Sequence, residues 1–184
     1  MVKIIVAFLS LTFLYSCKSD VLPKPSSQLR LDYSDPKYQA FEQKTPYNFQ
    51  VNQQSEVKSK GNGNYEIHYP KMKATLYLSY KPVAGNIDQL LRDAQKLTYE
   101  HVVKADDISE QPFINKDIKV YGMFYDVNGN AATNAQFYVT DSSKHFVNCS
   151  VYFYAKPNFD SILPAVDYLK KDMRHAMETF KWGK

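Results

Sequence analysis

The sequence predicts an α+β domain: an antiparallel sheet of roughly five to eight strands, with an inserted helix and a long C-terminal helix packed on it. Three observations carry this. Apolar and polar residues alternate strictly in Tyr65–Tyr69, in Met72–Tyr80 and, most fully, from Ala135 to Tyr154, and a period of two places successive side chains on opposite faces of a strand. Two other stretches, beginning at Ile87 and Ile162, repeat at spacings of three and four, which is the helical period. The 15 Tyr and 11 Phe against a single Trp suit pleated, half-wet surfaces.

In chain order, the first segment is a leader. Met1-Val-Lys3 is a short positive start, and Ile4–Leu14 is an apolar run, too short to cross a hydrocarbon core of roughly 30 Å as a helix. Leu14-Tyr-Ser-Cys17 then has the pattern of a bacterial lipoprotein signal peptide, with Tyr15 departing from the small residue usual there. Cleavage before Cys17 is expected, with diacylglycerol on its thiol and a fatty acid such as palmitate on its amine. The other reading is an ordinary signal peptide with a chance cysteine. Two or more acyl chains anchor a protein stably without spanning the bilayer. With Cys17 acylated, Cys149 is alone and no internal disulfide can form. The expected organisation is therefore residues 1–16 as signal peptide, 17–28 as tether and 29–184 as one globular domain.

Pro23 and Pro25 bias the tether to extended geometry. Leu29–Tyr33 is a short strand candidate, Ser34-Asp-Pro36 opens a turn or helical turn through Phe41, and Tyr47–Val51 alternates as a strand. Gly61-Asn-Gly-Asn64 is a turn signal between Glu56–Ser59 and the strand Tyr65–Tyr69. Met72–Tyr80 is the cleanest amphipathic strand. Asn86 is placed as N-cap of the first helix with Gln89 completing a capping box, and Ile87, Leu90, Leu91, Ala94, Leu97 and Val102 form its apolar stripe, running to about Lys104. Asp106–Ile114 and Lys119–Val127 follow as strands, the second apolar on both faces and so central. Ala135–Thr140 and Val147–Tyr154 make a hairpin around the polar loop Asp141–Lys144. Ser161 is placed as the cap of the last helix, with Pro164 in its first turn and a stripe from Ile162 through Val166, Leu169, Met173 and Ala176 to Phe180.

At 184 residues the chain suits one domain with a sizeable core. The net charge of +4 is interspersed rather than clustered, which argues against nucleic-acid binding. Motif chemistry is sparse. Cys149 and His145, with Asp141 as orienting acid, form the tempting nucleophile pair. Residues four apart on a strand lie roughly 13 Å apart, beyond hydrogen-bond reach, and Val147 and Val151 flank Cys149 on its face, so a buried structural cysteine is the better reading. His68, His101, His145 and His175 sit on different elements without metal-ligand spacing, and no metal or cofactor is expected. Asp106, Asp107 and Glu110 lack the glycine and oxygen spacing of a calcium loop. Asp126-Val-Asn-Gly-Asn130 faintly resembles one, but a turn is the usual meaning of N-G-N.

One surface feature stands out. Tyr77, Tyr138, Tyr152 and Tyr154, interleaved with Thr75, Ser79, Gln136, Thr140, Asn148 and Ser150, could share one sheet face and serve as a partner-binding surface, since tyrosine among small polar residues suits protein recognition. Against this, the first helix or the N-terminal segment could cover that face, and this reading is favoured because two helices must pack somewhere.

Five stretches carry a family resemblance: Leu22–Tyr33 (LPKPSSQLRLDY), Thr45–Phe49 (TPYNF), Tyr65–Tyr80 (YEIHYPKMKATLYLSY), Gly129–Phe146 (GNAATNAQFYVTDSSKHF) and Tyr154–Pro164 (YAKPNFDSILP). Through them the chain resembles the gliding motility lipoprotein GldD family of Bacteroidetes over essentially the whole mature length. Tyr15, and Asn148-Cys149 where a small residue such as glycine is expected, depart from the pattern. The resemblance implies a cell-envelope lipoprotein, periplasm-facing rather than surface-exposed, needed for gliding motility and linked to type IX secretion. Its implied partners are the membrane, through Cys17, and other motility and secretion proteins. The family offers no catalytic residues to carry over. The predicted architecture is also similar to the PsbP/Mog1-like fold, an analogy silent on activity.

Three functions are thus in view: a non-enzymatic component acting through protein–protein contacts, a lipid-anchored small-ligand-binding domain, and a thiol-dependent hydrolase. An open, flat tyrosine face favours the first, a concave pocket with converging polar groups the second, and a reactive Cys149 the third.

Overall fold

A computed structural model describes residues 33–100, 104–154 and 159–183. Seven antiparallel strands form the main sheet, in the order β4-β5-β6-β10-β9-β8-β7. They are β4 (Glu56–Gly61), β5 (Asn64–Tyr69), β6 (Ala74–Pro82), β7 (Ala105–Asn115), β8 (Val120–Gly129), β9 (Ala135–Thr140) and β10 (His145–Phe153). The sheet is two meanders sewn together. β4, β5 and β6 run as neighbours, the chain then crosses to the far edge, and β7 to β10 return until β10 pairs with β6 from His145↔Pro82 to Phe153↔Ala74. The crossover carries helix α1 (Ile87–Tyr99). The α+β class and the C-terminal helix α2 (Phe159–Glu178) are as the periodicities predict.

α2 covers one sheet face and closes the core. Its Leu169 and Met173, with Phe180 just beyond its end, pack with Ile67, Leu76, Phe124, Phe137, Val139 and Cys149, the side chains that the strand alternation sends inward. Its stripe is the predicted one, but the helix starts at Phe159, so Ser161 lies within it rather than capping it. Pro164 falls inside the helix, past the first turn, where its missing N–H removes one helical bond.

A second layer of short strands clamps the N-terminal part to this helix. β1 (Tyr38–Ala40) pairs with β3 (Gln50–Asn52), and β2 (Tyr47–Asn48) pairs with β11 (Lys181–Trp182). The predicted strand Tyr47–Val51 is therefore two strands that change partner at Phe49, and the turn expected through Phe41 contains strand β1. A single-strand pattern cannot reveal a change of partner. The aromatics explain it: Phe49 lies 4.5 Å from Phe41 and 5.8 Å from Phe180, centroid to centroid, so burying that ring outweighs continuous pairing. Leu29–Asp32, the leader, Cys17 and the tether lie outside the described residues, and Tyr33 itself is not in a strand.

The turns read as expected. Asn62 and Gly63, both at positive φ (52° and 77°), form the two-residue loop between β4 and β5 that a right-twisted hairpin requires. Asp141 Oδ1 accepts from the backbone N–H of Ser143, Lys144 and His145 at 2.8–2.9 Å and holds the β9–β10 loop. At α1 the expected capping box does not form. Asn86 Oδ1 accepts from Ala84 N at 2.9 Å instead, and Gln89 bonds forward to Asp93. β8, expected to be central, is one strand in from the β7 edge. Its Gly122 is required by packing, because a Cβ there would sit 2.2 Å from the Tyr138 carbonyl oxygen. No helix among the described residues is long and apolar enough to cross a membrane.

Candidate functional site

The sheet face turned away from α2 carries the predicted tyrosines, and α1 divides it. Crossing from β6 to the β7 edge, α1 lays Leu90 and Ala94 against Phe146, with Tyr138 packed beside them. Gln136, fully buried, donates from Nε2 to the Ala94 carbonyl at 2.9 Å and accepts from Ser150 Oγ at 3.3 Å. Tyr138 stacks on Phe146 at 5.5 Å, and burial pushes its phenol pKa up. Tyr138 therefore sits under the helix, packed with Leu90, Ala94 and Phe146.

Beyond α1 the other three form a cluster. A crevice of about 150 Å³ reaching Ser79 and Asn148 marks the helix border. Past it, Tyr77 and Tyr152 meet edge to face at 5.5 Å, and the Tyr77 and Tyr154 hydroxyls lie 2.9 Å apart. Tyr154 is 61% exposed. Its hydroxyl donates to Thr75 Oγ1 at 2.9 Å, Thr75 Oγ1 lies 3.0 Å from His68 Nδ1, and His68 Nε2 lies 3.0 Å from Glu66 Oε2. Lys60 Nζ closes the row 2.9 Å from Glu66 Oε1.

This row has a direction. Lys60, more than the neighbouring His68, holds the Glu66 carboxyl below its ordinary range, so Glu66 only accepts. His68 then donates from Nε2, and its Nδ1 accepts from Thr75 in the neutral ring. Thr75 accepts from Tyr154, which accepts from Tyr77. The hydrogen bond to Tyr154, with burial second, pushes the Tyr77 phenol up to about 12. The relay fixes three aromatic side chains at little further entropic cost, the rigidity that a recognition surface benefits from.

Carboxylate, imidazole and hydroxyl in line is also the arrangement of a nucleophilic triad. Thr75 is 0% exposed and its oxygen already accepts from Tyr154, so a substrate cannot reach it. Sequence reading missed this row, although the register sets His68 directly opposite Thr75; only strand pairing could reveal it.

The other candidates are structural. Cys149 is free and 1% exposed, and burial pushes its thiol far up. His145 turns elsewhere, with Nδ1 2.9 Å from Tyr80 Oη and its ring stacked 5.3 Å from Trp182. Asp141 is occupied by its turn. His175 stacks on Tyr38 at 3.6 Å, while His101 lies outside the described residues. In the calcium-like stretch, Lys170 Nζ lies 2.5 Å from Asp126 Oδ1 and donates to Asn128 Oδ1 at 2.9 Å: an ammonium sits where a cation would. Among the described residues no three His, Cys, Asp or Glu converge as a metal site.

A buried carboxylate also escaped the sequence reading. Asp172, 4% exposed, accepts from Tyr38 Oη at 2.7 Å, Asn52 Nδ2 at 2.7 Å and Tyr69 Oη at 3.0 Å. Its place three residues after Leu169 and just before Met173, on the apolar stripe, was the available signal. It pins β1 and β3 to α2 and presents no open group.

A family model described as gliding motility lipoprotein GldD matches residues 18–182. A search of curated proteins finds none that matches.

Proposed function

The chain belongs to the gliding motility lipoprotein family, and from that premise we propose that it is a non-enzymatic envelope component that works by binding other proteins. In this reading Cys17 carries the lipid, the domain faces the periplasm, and the partners are proteins of the motility machinery and the type IX secretion system associated with it. The observation that carries the reading is the tyrosine cluster Tyr77–Tyr152–Tyr154, left outside the footprint of α1, with Tyr77 and Tyr154 held by hydrogen bonds and Tyr152 edge to face on Tyr77. Its rings offer contact area at low entropic cost, and their hydroxyls offer orientation.

The ligand-binding alternative finds less support. The crevice beside α1, about 150 Å³, is smaller than the roughly 300 Å³ at which small-molecule sites begin. The larger depressions, of about 300–400 Å³, are open surface clefts with charged or amide side chains in their walls.

The test is photo-crosslinking in the native envelope from a benzoylphenylalanine placed at Tyr77 or Tyr152, with Gln95 on the outer side of α1 as control. Discrete adducts with envelope proteins from the tyrosine positions alone support the reading, and equal or no adducts from all three overturn it. Cys17→Ala should release a folded protein from the membrane fraction; a variant that stays membrane-bound would refute the anchor.

A further inference from the structure

The molecule is electrically lopsided at the point where its tether leaves. The described chain begins at Tyr33, and Tyr168 Oη donates to the Ser34 carbonyl at 3.2 Å, fixing where the chain emerges. Ser34 lines a depression with Lys37 and Lys71. The 3-10 turn Pro70–Met72 separates it from a second depression lined by Lys58, Lys73, His68 and Tyr154. All four lysines are exposed, and none is drawn into an ion pair among the described residues. Only Asp35 and Glu56 oppose them in these walls. At the far edge, β7 itself carries the carboxylates Asp106, Asp107 and Glu110, with Lys104 just before it and Lys116 just after it. From the β5–β6 connection, which carries Lys71 and Lys73, four to five strand spacings, about 19–24 Å, lead to β7.

We propose that this lysine corner docks on the anionic lipid surface holding the protein's own anchor, so that the domain sits against its membrane in one orientation. The inference rests on the lipid-anchor reading above. Fifteen residues separate Cys17 from Tyr33. In any conformation a chain of that length reaches no more than about 50 Å, so the exit corner stays within that distance of the bilayer. Tethering makes even a weak patch effective, because the second contact is intramolecular. An anionic surface potential decays within about 8–10 Å, so it attracts the lysine corner while the acidic edge lies beyond its reach. Tyr154, in the wall of the second depression, places the tyrosine cluster beside the headgroups, open toward a partner in the same membrane.

The test uses the lipidated full-length protein in vesicles of phosphatidylethanolamine with phosphatidylglycerol, and in phosphatidylcholine vesicles, each carrying a headgroup quencher. A fluorophore is attached at Gln53→Cys, beside Lys71, or at Gln95→Cys on α1; Cys149 is buried and Cys17 acylated. Quenching at Gln53→Cys should rise severalfold on the anionic vesicles and stay unchanged at Gln95→Cys. The combined Lys37→Gln, Lys58→Gln, Lys71→Gln and Lys73→Gln variant, with an unchanged melting temperature, should return it to the phosphatidylcholine level. Equal quenching at both sites, or quenching indifferent to lipid charge or to the four lysines, overturns the orientation while leaving the anchor standing. Protein that fails to stay with either vesicle overturns the anchor and the orientation with it.

Discussion

Gln136 on β9 reaches across to helix α1 and donates from Nε2 to the Ala94 carbonyl at 2.9 Å. That one bond marks which part of the tyrosine face is closed. Replacing Gln136 with Ala leaves Ser150 without its acceptor and opens a cavity under the helix. A loss of about 2 kcal/mol is expected, read as a lower urea midpoint. Amide exchange should accelerate in α1 more than in β10. A uniform acceleration would mean that α1 does not open separately.

The β9–β10 turn depends on one carboxylate. Burial pushes Asp141 up, but the three backbone N–H donors of Lys144, His145 and Ser143 together outweigh it and hold the group below its ordinary range. Asp141→Ala should cost about 1–2 kcal/mol at neutral pH. Because the folded pKa is depressed, this stabilisation is complete above the unfolded value of about 4 and is lost as pH falls through the folded one. The gap between wild type and variant should therefore close in acid, as followed by thermal melts across pH. A gap that persists below pH 3 would assign the effect to turn geometry rather than charge.

The legible part of this fold was the part encoded locally. Period-two runs placed β5, β6, β9 and β10, and the stripe from Val166 to Phe180 placed α2, since each pattern needs only its own segment to be read. Asn62-Gly63 and Asp141 declared their turns by residue type. What stayed hidden depends on distant pairing. Phe49 interrupts a strand because Phe41 and Phe180, far away in sequence, bury its ring. Thr75 faces His68 only through the β5–β6 register, and the tyrosine face is half closed because α1 has to cross from β6 to the β7 edge. Which of the tyrosines on that face stay open is a property of the crossover, which no single segment encodes.

Lys170 and Asp126 give a double-mutant test. The pair is largely shielded, with side chains 11% and 22% exposed, so removing one partner strands the other. Lys170→Met should cost on the order of 3 kcal/mol. Adding Asp126→Leu should recover part of that loss, and the cycle should return a favourable coupling. Calcium should leave the wild-type melting temperature unchanged, because the ammonium already occupies the Asp126 and Asn128 oxygens. A calcium-dependent rise would reinstate the loop as a metal site.

Cys149 should behave as a reporter of unfolding. It is fully buried, and burial pushes its thiol far up, so the thiolate that reacts with alkylating reagents is scarce in the native state. Labelling of the folded protein at neutral pH should proceed only as fast as the chain opens, and should accelerate with denaturant in step with the unfolding rate. Rapid labelling without denaturant would restore a thiol-dependent activity to consideration.

The Tyr77–Tyr154 contact can be titrated directly. The Tyr77 phenol is pushed up to about 12, first by its hydrogen bond to Tyr154, against an unfolded value of about 10. A group raised in this way contributes stability that is complete below the unfolded value and is lost as pH rises through the folded one. Stability should therefore fall between about pH 10 and pH 12. Tyr154→Phe keeps the ring but removes both the acceptor for Tyr77 and the donor to Thr75. In that variant the Tyr77 step of the ultraviolet phenolate titration should move down from about 12 toward about 10, and the alkaline loss of stability should be smaller and finish at lower pH. If the cluster is the contact surface, the same variant should weaken crosslinking from position 77 while leaving the neutral-pH melting temperature nearly unchanged, because the bond to Tyr77 is exposed and Thr75 Oγ1 keeps its bond to His68. Weakened crosslinking accompanied by a large drop in melting temperature would instead assign these tyrosines to holding the fold, and the contact surface would have to be sought elsewhere.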